Sequence, residues 1–289
     1  MSVLKREKTF SLILLGALLL MSLAIIGCGG SEKQDADSQG ESSELSGSIT
    51  IAGSTSVQPF SDVLAEEFMV KYPGTQVNVQ GGGSSQGITA VVSGTADIGA
   101  VSRELKDEEK AENLKEYNLA LDGIAIAVNP ANQVSDLTLE QLKNIYLGNI
   151  TNWSEVGGSD AVITLVNREE GSGTRGAFEE LVMGEDAIAD YAIVQNSTGA
   201  VKTIIETDKN AIGYISLAVA DEKVKSLKIE GVEASADNVI SGQYKISRPF
   251  IYITTEEPTG LVKAYLDFVL SDEGQAIVVE EGAISEILK

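Results

Sequence analysis

The residues able to do chemistry in this chain fall in three short clusters of Ser, Thr and Gly: Gly53-Ser54-Thr55-Ser56, Gly81-Gly82-Gly83-Ser84-Ser85 and Gly171-Ser172-Gly173-Thr174. Each follows a strand-like run and precedes a helix-like one. A helix start offers unpaired backbone N–H groups and the positive end of the helix dipole. Glycine lets a ligand come close to the backbone, and hydroxyls add donors, so each cluster suits an anion. Three of them in one chain imply convergence on a single anion.

In the third cluster Ser172 stands four residues after a cation, Arg168. A guanidinium presents a planar pair of donors to a tetrahedral oxyanion, and the helix start at Thr174 can serve its other oxygens. The same arginine can instead pair with the neighbouring Glu169 or Glu170. Other chemistries are constrained by what the sequence lacks. It has no histidine, which excludes a Ser-His-Asp triad and any His-based metal or acid–base site. Residues Gly82 to Thr89 approach P-loop spacing, but Ile88 stands where the phosphate-pairing lysine must be. Acidic runs such as Asp107-Glu108-Glu109 and Glu179-Glu180 read as solvated helix faces, so neither a metal nor a cofactor is expected.

The elements that must position these clusters begin only after an export segment. Lys5, Arg6 and Lys8 precede an apolar run from Phe10 to Ile26 that stops at Gly27-Cys28-Gly29-Gly30, so residues 1–27 read as a signal peptide. The only cysteine, Cys28, closes Ile25-Ile26-Gly27-Cys28, which resembles the lipobox of bacterial lipoproteins, where the cysteine carries the lipid. A transmembrane anchor with an incidental cysteine is the alternative. Residues 28–47 are nearly devoid of apolar side chains and read as a flexible tether. With one cysteine there is no intrachain disulfide. The net charge of −22 leaves nothing to displace counterions from nucleic acid, and it repels anions globally, so anion capture must rest on local donors.

From Ser48 onward short apolar runs alternate with helical patterns. Ile49 to Ala52, Thr75 to Gln80, Ala96 to Val101 and Gly123 to Val128 read as strands; Phe60, Leu64 and Phe68 share one helix face, with Pro59 in its first turn. The plan repeats with a strand Val162 to Val166, a helix Thr174 to Met183, a helix after Gly199, a strand Ala211 to Leu217, a late strand Pro249 to Ile253 and two closing helices. The fold class is therefore α/β with largely parallel sheets, whose loops and ligands gather at strand C-terminal ends. Two lobes are expected, residues 48–126 with 249–289 and residues 127–248, hinged near Ala127-Val128 and Arg248–Phe250.

Gly53-Ser54-Thr55-Ser56-Val57, Gly83-Ser84-Ser85-Gln86-Gly87, Ala96-Asp97-Ile98-Gly99-Ala100-Val101-Ser102-Arg103, Asn152-Trp153 and Arg168-Glu169-Glu170-Gly171-Ser172-Gly173-Thr174-Arg175 resemble, in order and spacing, the motif series of the phosphate-binding receptors of Pst-type ABC importers. The resemblance runs from about Ser48 to Leu270 and implies a two-lobed periplasmic-binding-protein fold, type II-like, that closes on inorganic phosphate and hands it to ABC permease subunits. Carried over by motif, Thr55, Ser56, Ser84, Arg168, Ser172, Gly173 and Thr174 would ligate phosphate, with a monomer as the working form. Some members place a proton-accepting aspartate just after the third strand; here that place reads Val101-Ser102-Arg103, so Arg103 would donate to the anion and Glu104 is the nearest replacement acceptor. The ending Gly282-Ala283-Ile284-Ser285 also departs from the family pattern. Sulfate or molybdate as cargo, or phosphate sensing without import, remain alternatives within binding. A phosphatase or esterase built on a serine would lack an evident base.

Overall fold

The structure is a computed structural model that describes residues 45–285. The signal segment and Cys28 lie outside the described residues, as does the tether up to residue 44. Among the described residues no helix is long and apolar enough to cross a membrane.

In chain order the elements are β1 (Gly47–Gly53), α1 (Gln58–Lys71), β2 (Thr75–Gly81), α2 (Ser84–Val92), β3 (Ile98–Val101), α3 (Asp107–Lys110), β4 (Lys115–Val128), β5 (Asp136–Leu137) and α4 (Leu139–Leu147). They continue as β6 (Thr164–Arg168), α5 (Gly173–Phe178), β7 (Ile193–Gln195), α6 (Thr198–Thr207), β8 (Ala211–Ser216), β9 (Lys225–Ser226), β10 (Lys228–Ile229), α7 (Ala236–Ile240), β11 (Ser247–Thr254), α8 (Gly260–Val269) and α9 (Asp272–Glu280). The strands follow one hydrogen-bonded path, β2-β1-β3-β11-β4-β8-β6-β7, with β9 on β4 and a separate ribbon of β5 and β10. The outer strands pair in parallel, β1 with β2 and β3, and β6 with β7 and β8. Antiparallel pairing is concentrated in β4 and β11, which run against each other and against β8 and β3. Sequence reasoning sees apolar runs but not strand direction, which is why the mixed character of the sheets was not legible.

Among the described residues the apolar side chains form two large cores and a smaller third, which holds Ile88, Val91, Val101 and Ile253. In the first, α1 buries Phe60, Leu64 and Phe68 against β1, and Phe68 meets Tyr265 of α8 edge-on with ring centroids 5.2 Å apart. Pro59 sits in the first turn of α1, where no intrahelical N–H is needed. Each such fully buried side chain contributes about 1.5–3 kcal/mol. In the second, Phe178 of α5 stacks on Tyr214 of β8 at 4.3 Å, and Tyr146 of α4 packs on both. The helix expected from Thr174 to Met183 is α5 followed by a π-helical turn over Glu179–Met183.

The chain passes between the two large cores in β4 and again on entering β11, and Ile284 reaches the second core once more after Val278 and Ala283 in the first. Leu119 and Ala120 of β4 belong to the first core, Ile124, Ala125 and Ile126 to the second. On the return, Ile246 packs in the second core and Phe250 in the first. The outward change of core falls between Ala120 and Ile124, where the apolar run Ile124–Val128 begins to pair with β8.

Candidate functional site

All three hydroxyl clusters stand at strand ends leading into helices. Thr55 and Ser56 lie between β1 and α1, Ser84 opens α2 after Gly83, and Ser172 caps α5, its hydroxyl accepting from Arg175 N at 3.2 Å. Gly53 makes the first turn possible: its φ is +142°, and a Cβ there would stand 2.1 Å from the Ala100 carbonyl oxygen. That proximity lets Ser54 N donate to the same oxygen at 2.8 Å and sets the cluster over the end of β3.

Thr55, Ser56 and Thr174 meet in one buried ring of polar contacts across the seam between the cores. Ser56 Oγ lies 2.8 Å from Thr174 Oγ1 and 2.8 Å from Thr198 Oγ1. Arg168 Nη1 donates to Thr198 Oγ1 at 3.1 Å and Nη2 to Thr55 Oγ1 at 3.2 Å, while Thr198 N also donates to Thr55 Oγ1. The guanidinium meets the Glu169 carboxylate through Nε and Nη2, both at 2.9 Å, so it serves the ion pair and the ring together. Of the two partners open to Arg168 in the sequence, the structure shows the Glu169 ion pair. Arg168 is 1% exposed, and its charge acts where water does not screen it.

A second set of hydroxyls adjoins the ring. Ser54 Oγ donates to Ser102 Oγ at 2.8 Å, Ser84 Oγ lies 3.3 Å from Ser102 Oγ, and Ser102 N donates to Ser84 Oγ at 3.1 Å. Gly173 closes over them: a Cβ there would fall 2.2 Å from Ser84 Oγ and 2.5 Å from Ser102 Oγ. Only glycine permits that approach of the α5 start to the other half of the seam.

Arg103 is not brought to the ring. Its two Nη atoms grip the Glu109 carboxylate at 2.7 and 2.8 Å, and Nη1 also donates to the Glu104 carbonyl. It lines an open cleft with Ser85, Ser172 and Arg175, beside the ring. The reason is local: Glu109 accepts from Lys106 N at the start of α3, which fixes a carboxylate over Arg103. Glu104, the candidate proton acceptor, is exposed and absent from the ring.

Three participants escaped sequence reasoning. Thr198 belongs to a fourth cluster, Ser197-Thr198-Gly199, which caps α6 through Ser197 Oγ and repeats the signal of the other three. Ser102 follows β3 inside a motif from which only Arg103 had been singled out as a donor. Arg248, on β11, donates through Nη1 to Thr174 Oγ1 at 2.9 Å and to the Ser102 carbonyl at 2.8 Å, and through Nη2 to Asp122 at 2.9 Å. Both members of that ion pair are 1% exposed. Burial pushes the Asp122 carboxyl above its ordinary value against the pull of the Arg248 charge and the Ser216 hydroxyl, and burial lowers Arg248 against the Asp122 charge. Among the described residues no group of His, Cys, Asp or Glu side chains is placed to hold a metal.

A paired α/β fold whose helix starts aim hydroxyls and a guanidinium into one buried seam defines a ligand-binding protein of the class that closes around a small anion. Residues 38–273 match the model described as the PBP superfamily domain. The chain is 38% identical to phosphate-binding protein PstS of Bacillus subtilis over 97% of its own length and 94% of the relative's. It is 31% identical to the protein of that name from Staphylococcus epidermidis, over 91% and 86% of the two chains. In solved structures, a phosphate ABC transporter substrate-binding protein from Clostridium perfringens with bound phosphate aligns with a TM-score of 0.80 at 44% identity, covering 83% of this chain and 99% of that one. An ABC-type phosphate transport receptor from Vibrio cholerae aligns with a TM-score of 0.69 at 41% identity, covering 82% and 99%. The chain belongs to the PBP superfamily, in the family of the PstS phosphate-binding proteins.

Proposed function

We propose that the chain is an extracytoplasmic receptor that captures inorganic phosphate in the seam between its two cores and delivers it to the permease subunits of an ABC importer. The observation that carries this reading is the convergence of Arg168 with Thr55, Ser56, Thr174 and Thr198 in one buried ring. Preformed donors of this kind bind a tetrahedral oxyanion despite the acidic net charge, because they act locally and out of water. The names borne by the curated relatives and by the solved structures agree with it.

Thr55, Ser56, Ser84, Ser172, Gly173 and Thr174 supply hydroxyl and helix-start N–H donors, and Arg168 supplies the charge. Arg103 shapes the cleft mouth through its pair with Glu109. The two lobes follow the two large cores, close to the expected residues 48–126 with 249–289 and residues 127–248, and the hinge lies where the chain changes cores, between Ala120 and Ile124 and between Ile246 and Phe250. The protein is held at the membrane by lipid on Cys28 after removal of residues 1–27, with residues 28–47 as tether, and works as a monomer. It binds and does not turn its ligand over.

Sulfate is the rival cargo. The carboxylates beside the ring, Glu169 and Asp122, are both engaged by arginines, and a phosphate proton needs an acceptor that sulfate does not. Titration calorimetry of the full chain in detergent, after unfolding and refolding to strip bound anion, separates the two. Tight phosphate binding with sulfate ignored supports the reading; equal binding, or no phosphate heat, overturns it.

A further inference from the structure

Asp122 and Arg248 face each other directly across the β4–β11 ladder, at the point where both strands pass from one core to the other. Their geometry links three parts of the molecule. Arg248 Nε and Nη2 converge on one Asp122 carboxylate oxygen, at 3.3 and 2.9 Å. The other oxygen accepts from Ser216 Oγ at 2.8 Å, at the end of β8 in the second core. Arg248 Nη1 then spans the seam, donating to the Ser102 carbonyl at the end of β3 and to Thr174 Oγ1 at the start of α5. The guanidinium also lies 5.0 Å from the Phe250 ring centroid, and Phe250 packs on Phe60 in the first core, so Arg248 is packed on that core. Thr174 stands in the first turn of α5, whose Ala177 and Phe178 lie in the second.

We infer that the Asp122–Arg248 pair is the latch that holds the two lobes closed over the anion, acting on the ligand through Thr174. Arg248 is thus a positioning residue. It commits a lone pair of Thr174 to an arginine N–H, which turns the threonine hydroxyl proton toward the ring. It ties Thr174 to Ser102 through a single nitrogen, so separating the lobes breaks a charge-assisted hydrogen bond at the hinge itself. Asp122 keeps the guanidinium in place and compensates its buried charge. A lysine at 248 has a point charge and no planar fork, and cannot serve Asp122, Ser102 and Thr174 in the same geometry.

The inference rests on the anion-receptor reading for its ligand but not for its central test. Hydrogen exchange followed by mass spectrometry is measured on the full chain and on Arg248→Lys and Asp122→Asn, both anion-free and with inorganic phosphate. The latch requires faster exchange in residues 54–57 and 173–177 of both variants, with the two cores protected as in the parent. It also requires phosphate binding at least about tenfold weaker, with most of the change in dissociation. Seam exchange and affinity equal to the parent's overturn it, and so does exchange accelerated evenly through both cores, which marks a merely structural pair. If Arg248→Lys does not fold, Asp122→Asn, which keeps the side-chain shape, decides. If the parent chain binds no phosphate, the function proposed above falls, while the anion-free exchange still decides the latch.

Discussion

Arg168 and Thr55 stand 113 positions apart in the chain and meet across the seam, Nη2 donating to Thr55 Oγ1 at 3.2 Å. That contact joins the end of β6 in one core to the turn after β1 in the other, and the same guanidinium reaches Thr198. Arg168 is therefore both the charge in the ring and a bridge between its halves. Arg168→Ala should weaken oxyanion binding by about 2 kcal/mol or more, the scale of a hydrogen bond to a charged group. Titration calorimetry checks it, and an affinity equal to the parent's would remove Arg168 from the site.

Gly173→Ala separates closure from helix stability. In the first turn of α5, alanine is the better helix former by up to about 1 kcal/mol. Yet its methyl would fall on Ser84 Oγ and Ser102 Oγ, both on side chains fully buried in the seam. The expected outcome is anion binding weakened by at least tenfold, or roughly 1.4 kcal/mol, with the melting temperature of the anion-free protein little changed. A matching fall in both would place the effect in folding instead.

Thr198→Val keeps the shape of the side chain and removes the oxygen that Arg168 and Ser56 share. Leaving those groups short of a partner should cost about 1–3 kcal/mol of binding. Thr198→Ser should restore most of it, because the hydroxyl and not the methyl carries the contact. Equal affinities for the Val and Ser variants would contradict that assignment.

The pair of Arg103 and Glu109 gives a pH signature outside the ring. Burial raises the Glu109 carboxyl, but hydrogen bonds from Arg103 and Lys106 N, together with their charges, outweigh it and hold the group below its ordinary value of 4.5. The unfolded chain thus binds this proton more readily than the folded one. The stabilisation is complete above pH 4.5 and is lost as pH falls through the lower folded value. Urea titrations at several acid pH values should show the parent losing stability more steeply than Glu109→Gln below that point. Parallel curves would mean that the ion pair adds nothing.

Phe178→Ala tests the second core. The ring is fully buried, stacked on Tyr214 and in contact with Tyr146. Its removal should cost about 3–5 kcal/mol of unfolding free energy in chemical denaturation. A loss under about 1 kcal/mol would mean that the core collapses around the gap.

The hydroxyl clusters of the candidate site were legible because a turn follows from local residue type. Glycine and hydroxyls at a strand end before a helix must turn there and must leave N–H groups unpaired, which marked the clusters holding Thr55, Ser56, Ser84, Ser172, Gly173 and Thr174, while their part as ligands came from the family resemblance. Thr198 sits in the same kind of cluster and could have been found by the same rule. Arg103 and Arg248 mark the limit: one directly follows Ser102 in sequence, the other lies 74 positions from Thr174, and it is the distant one that touches the ring.

By itself the sequence determined the local chemistry: which turns present donors, which faces are apolar, that no histidine serves as a base, and that the chain alternates strand and helix. Those follow from periodicity and side-chain type, which act over a few residues. Only the tertiary structure decided which cation faces which hydroxyl, where β4 and β11 pass between the cores, and that Arg168 and Arg248 are each paired with a carboxylate. These are properties of strand direction and of packing between residues far apart in the chain. Local preference leaves them open, and the burial of the two cores fixes them.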